Sequence, residues 1–373
     1  MSVSVVRVLN LFTIMNRGGA ETMVMNYYRH FDRTKLQFDF MVHREERGAY
    51  DDEIEALGGK IYRMPAIRPW TSFAYKKQIS HFYAYHPEYQ IIHSHMSELG
   101  YYDFKEAERA GMPVRIAHAH NRPHGIDLKS PMRWYYKTRM KPLLTHMFMC
   151  GKESGEWLFG KKNQDKFIML NNAIDTEKYV FQPSVRREVR EKLGLNNKFV
   201  IGHVGRFDAQ KNHSFIIEIF CEVLKKRPDA VLMLIGNDSG LISERIHSMV
   251  EQFGITDKVL FLGVRSDVAD LMQAMDMFLF PSLFEGFGIA VLEAQASGLP
   301  CVVSKCIPDE CIVTDLVSRL DVQQDEVSWA NHLVNIKCDE RMNTSRQIIE
   351  SGFDIKDNAK WLQDFYLTCV NGE

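Results

Sequence analysis

No stretch of 18 or more apolar residues occurs in this 373-residue chain, which excludes a membrane-spanning helix. No G-x-G-x-x-G follows a strand-like run, so the turn that grips a dinucleotide in Rossmann dehydrogenases is missing. None of the seven cysteines (150, 221, 301, 306, 311, 338 and 369) forms a C-x-x-C pair. An odd count at wide spacing points to reduced thiols in a cytoplasmic protein, not to a disulfide framework. Cys301, Cys306 and Cys311 recur every five residues, which is not a zinc-ligand spacing, and they read as core or surface residues. Low-complexity tracts and internal repeats are also lacking. The apolar start, Met1 to Phe12, is interrupted by Arg7 and has no small-residue cleavage site, so it reads as a first strand and not a signal peptide.

What is present is ordinary in bulk: 45% hydrophobic and 25% charged residues, a globular balance. The length suits about two domains at roughly 100–200 residues each. Net charge is only -2, but residues 1–180 carry 26 Lys and Arg against 20 Asp and Glu. The first half is therefore +6 and the rest -8. A basic half suits an anionic membrane surface or a phosphate-bearing ligand, and an ordinary fluctuation of surface charge gives the same numbers. Nucleic-acid binding has no support beyond this bias.

Strand-like runs alternate with helical patterns. Val5 to Phe12, Phe38 to Val42, Ile61 to Met64, Ile91 to Ser94 and Val114 to Ala117 read as strands, with helices over Ala20 to His30 and around Ile54 to Leu57. The rhythm restarts with strands at Phe199 to Gly205, Val231 to Ile235, Val259 to Leu262, Met277 to Phe280 and Cys301 to Ser304. The intervening helices are expected over His213 to Lys226, Ser243 to Phe253, Asp267 to Met275 and Ile289 to Ser297. Such alternation predicts parallel βαβ units, and two separate starts predict two Rossmann-like domains. Asp175 to Asn197, charged and without a strand pattern, reads as the linker; Asn358 to Val370 reads as an amphipathic helix.

The chemistry concentrates in two stretches. In Glu285-Gly-Phe-Gly288-Ile-Ala-Val-Leu-Glu293-Ala-Gln-Ala-Ser-Gly298-Leu-Pro300, a strand ends, a glycine loop follows, and a helix begins near Ile289. Gly298 and Pro300 stop that helix in the usual order. Small glycines let backbone approach a ligand, and a helix start offers unpaired N–H groups and a positive dipole end, which suits phosphate. Glu285 and Glu293 are hydrogen-bond acceptors matched to vicinal diols, which a sugar ring and a ribose both present. The bland alternative is a glycine-rich connection with two surface glutamates. In the second stretch, Gly205-Arg206-Phe-Asp-Ala-Gln-Lys211-Asn, two cations follow a strand end, where ligands of open α/β sheets bind. They can neutralise a diphosphate, Arg206 bidentately, although a lone R-x4-K is more often a solvated loop.

Together, E-x7-E in this form and the preceding GRFDAQKN resemble the retaining GT-B glycosyltransferases of family 4, also called glycosyl transferases group 1. The resemblance extends to Gly18-Gly19-Ala20-Glu21 after the first strand and to Leu170-Asn-Asn172-Ala-Ile-Asp175, with Ala173 where the family usually has glycine. Ile307 to Leu320 is similar to members that build capsular or exopolysaccharides. The resemblance implies an α/β fold with two Rossmann-like domains facing each other across a cleft. It implies an acceptor-binding domain over 1–180, a nucleotide-sugar-binding domain over 181–355, and a C-terminal helix over 356–373 crossing back. It further implies that Glu285 contacts the donor sugar, Glu293 holds the ribose, and Arg206 and Lys211 hold the diphosphate. Backbone N–H groups of Phe287, Gly288 and Ile289 assist, and Gly18 and Gly19 let the first loop approach donor and acceptor. The family is metal-independent, so no cofactor is expected. Fittingly, no D-x-D pair lies between strand and loop; Asp51-Asp52 reads as the solvated start of a helix.

Ten of the fourteen histidines precede residue 180. His93 and His95, and His118 and His120, sit at strand ends; zinc would need four histidines from two strands to converge. The family has a histidine in this region near the donor sugar's primary hydroxyl. His120, followed by Asn121 where an acidic residue is common, is the best match, His118 competes with it, and His93 and His95 read as structural. The expected partners are a nucleotide-sugar donor, with UDP favoured, and a saccharide or lipid-linked saccharide. Arg68 to Lys77 and Arg133 to Lys141, both basic and aromatic, suit peripheral association with the inner face of a membrane or equally core-facing helices with solvated lysines. Two rivals remain: a nucleotide-sugar 2-epimerase of the same fold, and a non-catalytic nucleotide-sugar-binding partner subunit.

Overall fold

Leu36–Val42 is buried at all seven positions, and so are Ala230–Ile235 at all six. Burial at every position marks strands covered on both faces, which parallel sheets require. The computed structural model describes residues 5–67, 72–121, 129–336 and 341–371. Among these the chain forms two α/β units, one of residues 1–174 with 352–373 and the other of residues 175–351.

The first unit holds strands β1 (Val6–Phe12), β2 (Leu36–Val42), β3 (Ile61–Arg63), β4 (Ile91–Ser94), β5 (Val114–Ala119), β6 (His146–Met149) and β7 (Phe167–Met169). They lie in the order β3-β2-β1-β4-β5-β6-β7, all parallel. One face packs Phe38, Phe40, Tyr27, Tyr28 and Tyr366; the other packs Leu9, Leu11, Tyr75 and Phe104. The second unit holds β8 (Phe199–Val204), β9 (Ala230–Ile235), β10 (Val259–Phe261), β11 (Met277–Phe280), β12 (Cys301–Ser304) and β13 (Val317–Leu320). Their order is β10-β9-β8-β11-β12-β13, again parallel. In each sheet the order reverses once, between β1 and β4 and between β8 and β11. Open α/β sheets bind ligands beyond the carboxyl ends of the strands at such reversals.

The α/β class and the two Rossmann-like sheets read from the sequence are therefore observed. The units divide after Ile174 and Ser351, earlier than the boundaries expected after residues 180 and 355. The crossing is tied by Ile174, whose N–H donates to Phe353 O at 2.9 Å and whose carbonyl accepts from Ile355 N at 3.0 Å. The C-terminal helix, Ile355–Asn371, packs on the Gly19–His30 helix in the first unit. Leu362 and Tyr366 are buried there; each contributes roughly 1.5–3 kcal/mol on burial.

Two expectations are corrected. Asp175 to Asn197, expected as the linker, is part of the second unit and forms helices at Thr176–Tyr179 and Pro183–Lys192. Arg186 donates to the carbonyls of Gln273 and Met275, and Arg190 to those of Ala274, Leu195 and Lys198. Arginine's five donors satisfy buried carbonyls, so a charged stretch can still be packed. Asp51 is likewise not solvated; it is buried and paired with Arg63, while Asp52 is exposed beside Arg47.

Candidate functional site

In the second unit the loops after β8 and β11 are joined. Leu283 N donates to Gln210 O at 2.8 Å, Gln210 Nε2 to Phe284 O at 2.8 Å, and Asn212 Nδ2 to Pro281 O at 3.3 Å. Asn212 adopts a left-handed conformation, φ 57°, to enter the His213–Lys226 helix, while Asp208 accepts from Lys211 N at 3.2 Å. These bonds fix Lys211 relative to the Glu285 loop at the sheet's reversal point.

Lys211 Nζ donates to Glu285 Oε1 at 2.6 Å, with side-chain exposures of 15% and 7%. The same ammonium lies 4.6 Å from the centroid of the Phe280 ring, a cation–π contact in a dry setting. Two charges from separate stretches thus meet where solvent screening is weak. Arg206 stands apart: its side chain is 60% exposed and approaches Asp208 at 3.5 Å. It is a largely exposed cation, whereas Lys211 is held by Glu285.

The helix Ile289–Ala296 begins at Gly288, whose φ of 92° and ψ of 50° are left-handed. A side chain there would strain the backbone by roughly 1–2 kcal/mol, so the abrupt entry into the helix requires glycine. No side chain caps this helix start. Phe287 is buried, so only its backbone can serve a ligand, and Ile289 opens the helix. Gln295, on the same helix, donates to Cys311 O at 2.8 Å and accepts from Val313 N and Thr314 N, clamping the following loop.

Glu293 lies one helical turn on from Ile289. It is buried, and Tyr179 donates its hydroxyl to Oε1 at 2.7 Å. Burial pushes the Glu293 carboxyl up to about 7, against the opposing effects of the Tyr179 hydrogen bond and of Lys178.

Gly18, Gly19 and His120 belong to the first unit. Gly18 caps the start of the Gly19–His30 helix with extended backbone, φ -100° and ψ 172°. A Cβ at Gly18 would meet Glu21 Oε2 at 2.4 Å, and a Cβ at Gly19 would meet nothing within 4 Å. Neither glycine is demanded by its own dihedral angles, so the missing side chain at Gly19 leaves open space.

The histidines are the main departure from expectation. His93 and His95 are not isolated strand ends. Ring centroids of His93 and His95 lie 4.4 Å apart, those of His118 and His120 4.2 Å, and those of His93 and His118 5.3 Å. His95 Nδ1 is 2.8 Å from His120 Nε2, and His95 Nε2 is 3.4 Å from Asn10 Oδ1. His118 is fully buried within β5, whereas His120 follows the strand and is 8% exposed. Burial lowers the ring pKa of all four, His120 to about 4. Sequence reasoning missed Tyr179, Phe280, Gln210 and Asn10, each of which acts through residues distant in the chain.

The glycosyl transferases group 1 family matches residues 185–352. The chain is 32% identical over 384 residues to EpsF of Bacillus subtilis, a protein assigned as a glycosyltransferase, covering 98% of this chain and 97% of that protein. It is 30% identical over 302 residues to the UDP-Gal:alpha-D-GlcNAc-diphosphoundecaprenol alpha-1,3-galactosyltransferase of Escherichia coli, covering 76% of each. Among solved structures, Anabaena HepE in complex with UDP superposes with a TM-score of 0.71 at 19% identity, covering 98% of this chain and 96% of that one. The structural likeness is one of fold, GT-B.

Proposed function

We propose that this chain, which belongs to the glycosyl transferases group 1 family and is a glycosyltransferase, transfers a sugar from a UDP-sugar with retention to a saccharide or lipid-linked saccharide in bacterial surface polysaccharide synthesis. The observation that carries the donor assignment is the Lys211–Glu285 pair, held beside the Ile289–Ala296 helix start at the β8–β11 reversal. UDP is supported by the nucleotide bound in HepE, and a lipid-linked acceptor by the activity named for the Escherichia coli relative.

In this reading the bond from the anomeric carbon to the β-phosphate oxygen breaks, and the acceptor hydroxyl oxygen bonds to that carbon while its proton passes to the leaving diphosphate. Negative charge grows on the leaving diphosphate. Lys211, Arg206 and the backbone N–H groups at Phe287, Gly288 and Ile289 stabilise it without a metal. Glu285 orients Lys211 and accepts from the donor sugar's hydroxyls. Glu293 accepts from the ribose diol. Gly18, Gly19 and His120 are assigned to donor and acceptor on the strength of the resemblance, and the open space at Gly19 supports that role.

Peripheral membrane association forms part of the proposal. Trp134 and Tyr135, 67% and 46% exposed, lie on the Ser130–Met140 helix with Arg133, Lys137 and Arg139. Phe73 is 82% exposed on the Ser72–Tyr85 helix. Arg68 to Trp70 lie outside the described residues. Among the described residues no helix is long and apolar enough to cross a membrane. Co-sedimentation with anionic vesicles at low salt that weakens in Trp134→Ala supports the surface; no pelleting removes it.

The reaction is tested by incubating the protein with UDP-sugars and a short lipid-diphosphate-linked acceptor and reading the product's anomeric configuration by NMR. An α-linked product from an α-donor is expected, and a β-linked product refutes retention. A 2-epimer formed without acceptor indicates the epimerase. Nucleotide binding with no turnover of any donor indicates the non-catalytic partner subunit.

A further inference from the structure

His-x-His occurs twice, at His93-Ser-His95 and His118-Ala-His120. Side chains two apart on a strand share a face, and β4 and β5 are parallel neighbours, with His93 level with Ile116 and Ser94 with Ala117. Both pairs therefore project to one side at the carboxyl ends of adjacent strands. One nitrogen each from His93, His95 and His118 lie within 4.8 Å of one another.

The hydrogen bonding is one-sided. His93 Nδ1 meets Tyr366 OH at 2.6 Å, and His95 Nε2 meets Asn10 Oδ1 at 3.4 Å. Asn10 Nδ2 points to the carbonyls of Val8 and Asp39, each at 3.4 Å, which orients its Oδ1 toward His95. The inward atoms are differently placed. His93 Nε2 and both ring nitrogens of His118 are buried without a hydrogen-bond partner among the described residues. A neutral imidazole always carries one N–H, so His118 buries a donor and an acceptor with neither satisfied, a costly state for a folded core. In His93 the outer nitrogen is anchored and the inner one bare, the pattern of a histidine that ligates a metal; both nitrogens of His118 are bare, and His95 Nδ1 is shared with His120 Nε2 at 2.8 Å.

We propose that His93, His95 and His118 bind one divalent transition-metal ion, zinc in the first instance, with His120 Nε2 facing the fourth position. Tetrahedral zinc with Zn–N bonds of about 2.0–2.1 Å places its ligand nitrogens roughly 3.4 Å apart. Small ring movements close the set from its present spacing, and His120 Nε2 separates from His95 Nδ1 as the ion enters. An all-imidazole set favours zinc, copper or nickel over magnesium or calcium, which prefer oxygen. Burial keeps the rings neutral at neutral pH, the form that binds metal. The three histidines lie in the first unit and the residues proposed for the diphosphate in the second.

The test uses untagged full-length protein, stripped with EDTA and titrated with zinc or cobalt alone. One tightly bound equivalent is expected, with the visible absorption of tetrahedral Co2+ and a thermal midpoint raised by several degrees at saturating zinc. His93→Gln and His118→Gln should lose the metal while their UDP-induced stabilisation persists, which separates metal binding from nucleotide binding. X-ray absorption at the zinc edge of the wild-type protein needs no variant and should show nitrogen ligands only. Sub-stoichiometric uptake by the wild type, sulfur ligands, or metal retained in both folded variants overturns the assignment; retention would point to thiols such as exposed Cys306.

Discussion

Tyr179→Phe removes the hydroxyl that donates to Glu293 in the proposed ribose site. The hydroxyl donates to Glu293 Oε1 at 2.7 Å, and the carboxyl titrates at about 7 because burial outweighs that bond. A hydrogen bond to a charged group contributes about 1.5–3 kcal/mol, and one pKa unit is about 1.4 kcal/mol, so its loss moves the titration up by roughly 1–2 units. A diol donates to the carboxylate, so UDP must bind the ionised form. At pH 7 the variant should bind UDP roughly 5- to 50-fold more weakly than wild type, and the two should converge by about pH 10. The sign for stability follows from the raised folded-state value. Glu293's contribution is present below its unfolded pKa near 4.5 and is lost as pH rises through about 7. The unliganded variant should therefore lose more stability at pH 9 than at pH 5. Isothermal titration of UDP between pH 5.5 and about 9.5, with urea melts at both ends, measures both effects. Superimposable binding curves would refute the assignment of Glu293 to the ribose.

Lys211→Met should lower kcat by about 10²–10³-fold, because it removes a placed cation from the leaving diphosphate, and steady-state kinetics would show this. Gly19→Ala should keep or slightly raise the thermal midpoint, since alanine favours a helix by up to about 1 kcal/mol over glycine, yet lower kcat/KM by filling open space. Acid should destabilise the fold through its buried neutral histidines. His43, His120 and His213 are depressed to about 4, and His93, His95, His118 and His203 lie well below the usual value. Their stabilisation is present above about 6.5 and is lost as pH falls through about 4, so urea midpoints should drop steeply over that window.

Much of the fold was legible because buried parallel strands are apolar runs, and Ile91–Ser94, Met277–Phe280 and Cys301–Ser304 were bounded to the residue. Strands β6, β7 and β13 escaped. None is a continuous buried run like those three: β6 is only partly buried at both ends, and β7 and β13, at the sheet edges, have no fully buried position. The glycine loop and its glutamates were visible because turn and cap chemistry is local. The partner of Glu293 was not, since Tyr179 lies 114 residues away with nothing nearby to mark it. The paired His-x-His motifs were plain in sequence, but their convergence depends on β4 lying beside β5, which strand rhythm alone does not establish.

The most direct test is thermal unfolding of wild type and Glu293→Ala with UDP, GDP and their sugars, with and without EDTA. UDP at ~100 times its dissociation constant adds about 2.7 kcal/mol and should raise the wild-type midpoint by several degrees. That nucleotide-dependent rise should be indifferent to EDTA and absent in Glu293→Ala. If neither nucleotide nor any nucleotide sugar moves the wild-type midpoint, the β8–β11 reversal is not a donor site and the proposed reaction falls with it.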